Sequence, residues 1–103
     1  LHRNARNLGF IGSINAGAAL ARGRFLVLLN NDTTVAPGWL DALLRTFDDH
    51  PDTGVAGSQL VYPDGRLQEA GAIIFRDGLC WNHGRFGHPD DPRFRFVREV
   101  DYV

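Results

Sequence analysis

Phe25-Leu26-Val27-Leu28-Leu29-Asn30-Asn31-Asp32-Thr33-Thr34 is the stretch on which a reading of this chain turns. Five consecutive apolar residues give way abruptly to amides, a carboxylate and hydroxyls. That change is the pattern of a strand buried on both faces, which delivers polar groups at its carboxyl end. Open α/β sheets bind their ligands at such ends. Asp32 is the leading candidate, because a carboxylate there has no duty within the sheet while Asn30 and Asn31 can hold it and offer donors to a sugar or phosphate. The alternative is an Asx-type turn, in which Asn30, Asn31 and Asp32 only bond nearby backbone as the chain leaves the strand.

Outward from this stretch, composition bounds the answer. A chain of 103 residues with 44% hydrophobic content suits one modest globular core. It carries no methionine, and Val100-Asp101-Tyr102-Val103 reads as an unfinished strand. The expectation is therefore the central part of a single larger domain, cut at both ends, whose sheet draws strands from flanking sequence or from another chain. The net charge of −1 gives no electrostatic case for nucleic acid or an anionic membrane. All 11 basic residues are arginine, which suits bidentate phosphate binding. One cysteine, Cys80, excludes an intrachain disulfide framework. No apolar run approaches the roughly 20 residues of a membrane helix, and a cytoplasmic location is the default.

The segment before Phe10 is polar and reads as a loop. From Phe10 to Arg22 the periodicity is helical, with Ile11, Ile14, Ala18 and Ala21 in one stripe and Gly23 as an expected left-handed cap. Asn15 lies at the edge of that stripe. A second helix is expected after Pro37 at a first-turn position, with Trp39, Leu40, Leu43, Leu44 and Phe47 at helical spacing and a stop at His50 before Pro51. Strands are expected over 54–62 and 67–75, joined by the Pro63-Asp64-Gly65 turn. Residues 76–93 read as a long surface loop and 94–103 as a last strand.

Several constellations are set aside. Cys80, His83 and His88 lack the fourth ligand of a structural zinc site. Gly9-Phe10-Ile11-Gly12 has neither the dinucleotide glycine spacing nor the Gly-Lys-Ser/Thr ending of a phosphate loop.

The ordered series Asn7-Leu8-Gly9-Phe10, Asn15-Ala16-Gly17, Ala21-Arg22-Gly23, Leu28-Leu29-Asn30-Asn31-Asp32-Thr33, Pro37-Gly38-Trp39-Leu40 and Tyr62-Pro63-Asp64-Gly65-Arg66-Leu67-Gln68-Glu69-Ala70-Gly71 resembles inverting family 2 glycosyltransferases, in particular the bacterial rhamnosyltransferase-like branch. The resemblance runs from about Asn4 to Val103. It implies an α/β fold of the GT-A nucleotide-diphospho-sugar transferase type: a partial Rossmann-like sheet with flanking helices and a β-hairpin. Asn30-Asn31-Asp32 then stands at the Asp-x-Asp motif, and Asp32 takes the role of ligand to Mg²⁺ or Mn²⁺ beside the donor diphosphate. A hard cation of this kind needs only one or two carboxylates when phosphates complete its shell. Asn30 occupies the place of the first carboxylate, which leaves Asp32 as the sole acidic ligand from the motif. Asn7 and Asn15 fall in segments that border the nucleotide in the family.

The resemblance further implies a nucleotide-diphospho-sugar donor, a glycan, lipid-linked or protein acceptor such as polysaccharide biosynthesis provides, and a cytoplasmic protein or one peripheral to the inner face of the membrane. No catalytic residue is identifiable. The first nucleoside-binding strand is expected before Leu1 and the acidic general base beyond Val103, with Glu99 and Asp101 read as surface charge. A non-catalytic sugar-nucleotide module and a ligand-free scaffold are the competing classes. Exposed strand edges are expected to promote self-association. Assayed alone, the 103-residue chain is expected to transfer no sugar above a mock preparation, and turnover would place the missing catalytic groups within it.

Overall fold

The computed structural model of the chain describes residues 2–103. They fall into two compact units, Leu1–Thr34 and Val35–Val103.

The first unit is built on one helix, α1, over Gly9–Leu20. Asn7 Oδ1 accepts from the Gly9 N–H at 2.8 Å, and Asn4 Nδ2 donates to Ser13 Oγ at 3.1 Å, so the polar entry segment secures the helix start. The helix ends at Ala21, whose backbone is already extended (φ −66°, ψ 143°) and whose N–H reaches Ala18 O at 3.1 Å. That exit removes any need for the expected left-handed cap at Gly23. Ile14 and Ala18 of the anticipated stripe are half-buried, whereas Ile11 is 73% exposed.

The largest correction concerns Phe25 to Leu29, which is not a strand. Phe25 is half-buried but Leu26, Val27, Leu28 and Leu29 are exposed, Leu28 by 63%. The expected parallel, Rossmann-like sheet does not form, because no strand among the described residues pairs with this segment. An interior strand exists only when both of its neighbours supply ladder hydrogen bonds and both of its faces are covered. Apolar sequence alone supplies neither.

The second unit begins with helix α2, Trp39–Asp49. Its N-cap is Gly38 at φ 74°, so Pro37 precedes the helix instead of occupying its first turn. Trp39, Leu43, Leu44 and Phe47 form the half-buried side, and His50 closes the helix through its N–H to Thr46 O at 2.9 Å before Pro51 stops the chain.

Two antiparallel hairpins follow. Strand β1, Leu60–Val61, pairs with β2, Leu67–Glu69, around the expected turn, where Tyr62 N–H donates to Arg66 O at 2.8 Å and Gly65 N–H to Tyr62 O at 2.9 Å. Strand β3, Ala72–Ile74, pairs with β4, Cys80–Asn82, in the register Ala72↔Asn82, Ile73↔Trp81, Ile74↔Cys80. The single expected strand over 67–75 is thus two. The chain breaks at Gly71, where φ is +83° and Val100 Cγ1 stands 2.6 Å from where a Cβ would be.

The segment expected to be a structureless loop, 76–93, contains β4 and the start of a short 3₁₀ helix, η1, Pro92–Phe94. The signal was present: Asp77-Gly78 is a second Asp-Gly turn, with Phe75 N–H donating to Leu79 O at 2.8 Å and Leu79 N–H to Asp77 Oδ1 at 3.1 Å. The expected terminal strand reduces to one bridge, Ala72↔Tyr102.

The core is small. Leu67 is fully buried and Ala72 is 1% exposed. Gly84 has φ +76°, and a Cβ there would lie 2.5 Å from Leu67 Cδ2 and 2.9 Å from Phe94 Cε1. Leu67→Ala is expected to cost about 2–5 kcal/mol. Gly84→Ala adds steric overlap to a left-handed penalty of roughly 1–2 kcal/mol and is expected to lower the thermal midpoint, whereas a surface substitution such as Asp52→Ala is expected to leave it unchanged. Paired thermal melts check both.

Candidate functional site

Every residue that the sequence marks for donor binding lies in the first unit: Asn7, Asn15, Asn30, Asn31 and Asp32. All five are exposed. Asn7 spends its side-chain oxygen on the start of α1. Asn15 lies on the open side of the same helix. Asn30, Asn31 and Asp32 occupy the loop that follows the apolar run, and Thr33 Oγ1 donates to the Asn30 carbonyl at 2.7 Å. That bond is the mark of a polar turn, and it fixes the backbone from which the three side chains project.

The donor set at this turn is one carboxylate and two amide oxygens on consecutive residues. Among the described residues no group of three His, Cys, Asp or Glu side chains converges to hold a metal. The set therefore fits a hard divalent cation only when a diphosphate brings the remaining oxygens. Cys80, His83 and His88 do not come together as a metal site either.

The second unit holds a different group of polar side chains. His83 is half-buried against the Phe94 ring, edge to face at 5.3 Å between centroids, and its Nε2 meets the Arg98 guanidinium. Arg98 also donates to the Arg93 carbonyl. Burial, and then the positive charges of Arg98 and Arg93, hold His83 below the usual histidine range. Asp91 accepts from the Arg93 backbone N–H at 2.9 Å and from its Nη2 at 2.7 Å, and these bonds pull its carboxyl down to about 2. The Asp91 carboxylate in this way caps η1. Asp101, one of the acidic residues near the chain end, is also occupied: its Oδ2 accepts from Ile74 N–H at 3.0 Å. Of this group, Arg98 and Asp101 line a broad cleft of about 1310 Å³ between α2 and the 94–103 segment.

Sequence reading missed a third constellation. Tyr62 and Phe86 stack at 5.8 Å with an 18° interplanar angle, Arg66 lies over Phe86 at 5.0 Å, and Asp64 Oδ2 accepts from Arg66 Nε at 2.9 Å. The turn half of this arrangement was legible in Tyr62-Pro63-Asp64-Gly65-Arg66. Phe86 was not, since only the fold brings it there.

The sequence profile described as Glycosyl transferase family 2 matches residues 1–99, and the chain belongs to that family. Among its relatives is an uncharacterized protein, y4gI, of Sinorhizobium fredii, 36% identical over 97 residues that make up 93% of this chain and 10% of that protein. The O-antigen biosynthesis protein RfbC of Myxococcus xanthus is 37% identical over 73% of this chain and 5% of its own length. A glucosyl-dolichyl phosphate glucuronosyltransferase of Haloferax volcanii is 34% identical over 62% of this chain and 20% of its own length. The chain thus spans a fifth or less of each of these three proteins. No solved structure matches it.

Acid removes stability from the second unit in two windows. The unfolded His83 takes up a proton near 6.5 while the folded one resists, so the folded state is at full strength above that value and weakens as pH falls below it. The Asp91 contribution is present above 3.8 and is lost as pH falls toward about 2. Thermal melts from about pH 8 to about pH 5 are expected to show a falling midpoint in the parent chain and a flatter profile in His83→Gln.

Proposed function

We propose that this chain is the donor-binding region of an inverting GT-A glycosyltransferase of the bacterial rhamnosyltransferase-like kind. It serves the transfer of a sugar from a nucleotide-diphospho-sugar to an acceptor hydroxyl. The observation that carries the reading is the family match over residues 1–99 together with the Asn30-Asn31-Asp32 turn, which presents its one carboxylate to solvent directly after the apolar run.

In this reading Asp32 holds Mg²⁺ or Mn²⁺ against the donor diphosphate. The cation, when bound, offsets charge on the departing nucleoside diphosphate. Asn30 and Asn31 donate from their amides to ribose or sugar hydroxyls, and the Thr33 hydroxyl on the Asn30 carbonyl keeps the turn in one conformation so that little ordering is left for binding. Asn7 and Asn15 border the nucleotide. The proton of the acceptor hydroxyl goes to an acidic base to which no residue of this chain is assigned.

The acceptor is a glycan, a lipid-linked sugar or a protein. The relatives' printed roles in O-antigen biosynthesis and on glucosyl-dolichyl phosphate support the first two. A charged, soluble donor suits a cytoplasmic protein or one peripheral to the inner face of the membrane. No helix among the described residues is long and apolar enough to cross a membrane. Leu26 to Leu29, an exposed apolar run, supports self-association through apolar contact. The competing reading, a turn with no ligand, draws on the same Thr33 bond.

Isothermal titration of UDP, GDP and dTDP with and without Mn²⁺ separates the two. Asp32→Asn keeps the shape and removes the charge, so metal-dependent binding is expected to weaken at least tenfold, about 1.4 kcal/mol. Asn30→Asp is expected to leave affinity unchanged or to strengthen it. If Asp32→Asn binds nucleotide and metal like the parent, the turn reading is correct.

A further inference from the structure

The chain makes the same turn twice. In the 62–66 hairpin, Gly65 N–H donates to Tyr62 O at 2.9 Å, Tyr62 N–H to Arg66 O at 2.8 Å, and Arg66 N–H to Asp64 Oδ1 at 3.0 Å. In the 75–79 hairpin, Gly78 N–H donates to Phe75 O at 2.9 Å, Phe75 N–H to Leu79 O at 2.8 Å, and Leu79 N–H to Asp77 Oδ1 at 3.1 Å. The glycines match as well, at φ 86° and 82°. Backbone geometry therefore does not set the two Asp-Gly bonds apart.

One side chain does. Arg66, directly after the first turn, closes on Asp64 Oδ2 through Nε at 2.9 Å and Nη2 at 2.7 Å. Both carboxylate oxygens of Asp64 are thus held, and the side-chain bond from Arg66 keeps the carboxyl below its usual range. The equivalent position in the second turn is Leu79, which has no polar group to offer. Asp77 is exposed, and its Oδ2 has no hydrogen-bond or ion-pair partner among the described residues.

An aspartate followed by glycine has a reaction open to it that needs no reagent but water. The glycine backbone nitrogen attacks the aspartate Cγ, and the new N–Cγ bond closes a succinimide ring. The hydroxyl of the protonated carboxyl leaves as water, taking the amide proton. A second water then opens the ring, and breaking the N–Cγ bond restores aspartate. Breaking the bond to the main-chain carbonyl instead leaves isoaspartate, with the chain running through the side chain. Glycine favours closure because no Cβ crowds the attacking nitrogen, and the space where a Cβ of Gly65 or Gly78 would stand is open. The glycine N–H bond must open at equal cost in both turns, since each is 2.9 Å long. What remains is that the carboxyl takes up a proton and swings onto the nitrogen. The Arg66 clamp opposes both at Asp64, whereas at Asp77 only the bond from Leu79 N–H has to break.

We propose that the Asp77–Gly78 bond is a site of spontaneous succinimide and isoaspartate formation, and that Arg66 guards the matching Asp64–Gly65 bond against it. Neither turn's chemistry rests on the glycosyltransferase reading above. Isoaspartate lengthens the turn by a backbone carbon, so the Phe75 N–H to Leu79 O bond no longer closes β3 on β4 in the register of the unmodified chain.

Prolonged incubation of the full chain at neutral pH tests this. Methylation by protein-L-isoaspartate methyltransferase with S-adenosylmethionine marks the product, and endoprotease Asp-N, which does not cut before isoaspartate, locates it. Isoaspartate is expected to accumulate several times faster at position 77 than at position 64. Arg66→Ala is expected to raise the rate at 64 to that at 77, and Leu79→Arg, which rebuilds the clamp in the second turn, to lower the rate at 77. In concentrated urea, where both turns are lost, the two rates are expected to converge. No isoaspartate at 77, equal rates in the folded parent, or a ratio that persists in urea overturns the proposal. So does the failure of either variant to move its rate while its circular dichroism matches the parent.

Discussion

The second unit depends on the burial of Leu67. Its side chain is fully enclosed, and its backbone N–H and C=O are both bonded to the 83–87 loop, at 2.8 Å to Gly87 and 2.7 Å from Phe86. One residue thus couples an apolar contact to two hydrogen bonds that are shielded from water, where an unmet partner is expensive. Gly84 permits the approach by having no Cβ, and Phe94 closes over the same point. The Phe86 ring, stacked on Tyr62 of the hairpin turn, takes its position from this contact.

Around that contact the unit relies on short-range bonds more than on a core. Asp64, Asp77 and Asp91 each accept the backbone N–H two residues ahead, at 3.0, 3.1 and 2.9 Å. Each is an Asx-type turn that sets the direction of the chain locally. The ion pairs Asp64–Arg66 and Asp91–Arg93 accompany two of these turns, and as exposed pairs they add little to stability by themselves. Their value lies in orientation, since a guanidinium tied to a carboxylate cannot wander from the neighbouring ring.

The first unit poses the opposite case. Its polar turn follows an apolar run of which Leu26 to Leu29 are exposed. A site at a strand end is only as rigid as the strand that bears it. Here the local bond from Thr33 to Asn30 does the positioning, and the carboxylate of Asp32 is presented by a turn.

The sequence by itself determined what depends on near neighbours. Helix periodicity placed α1 and α2 to within a few residues, Pro51 marked a stop, the Asp64-Gly65 turn predicted its hairpin, and the ordered motif series predicted the family. Those are matters of spacing, turn chemistry and side-chain type, which a chain carries in any conformation. Tertiary structure alone decided whether Phe25 to Leu29 becomes a strand, where 67–75 divides, and that Phe86 stands over Arg66. The physical reason is that strand pairing and long-range contact require a partner distant in sequence. An apolar run states only that a partner is wanted, and the partner's geometry settles what forms.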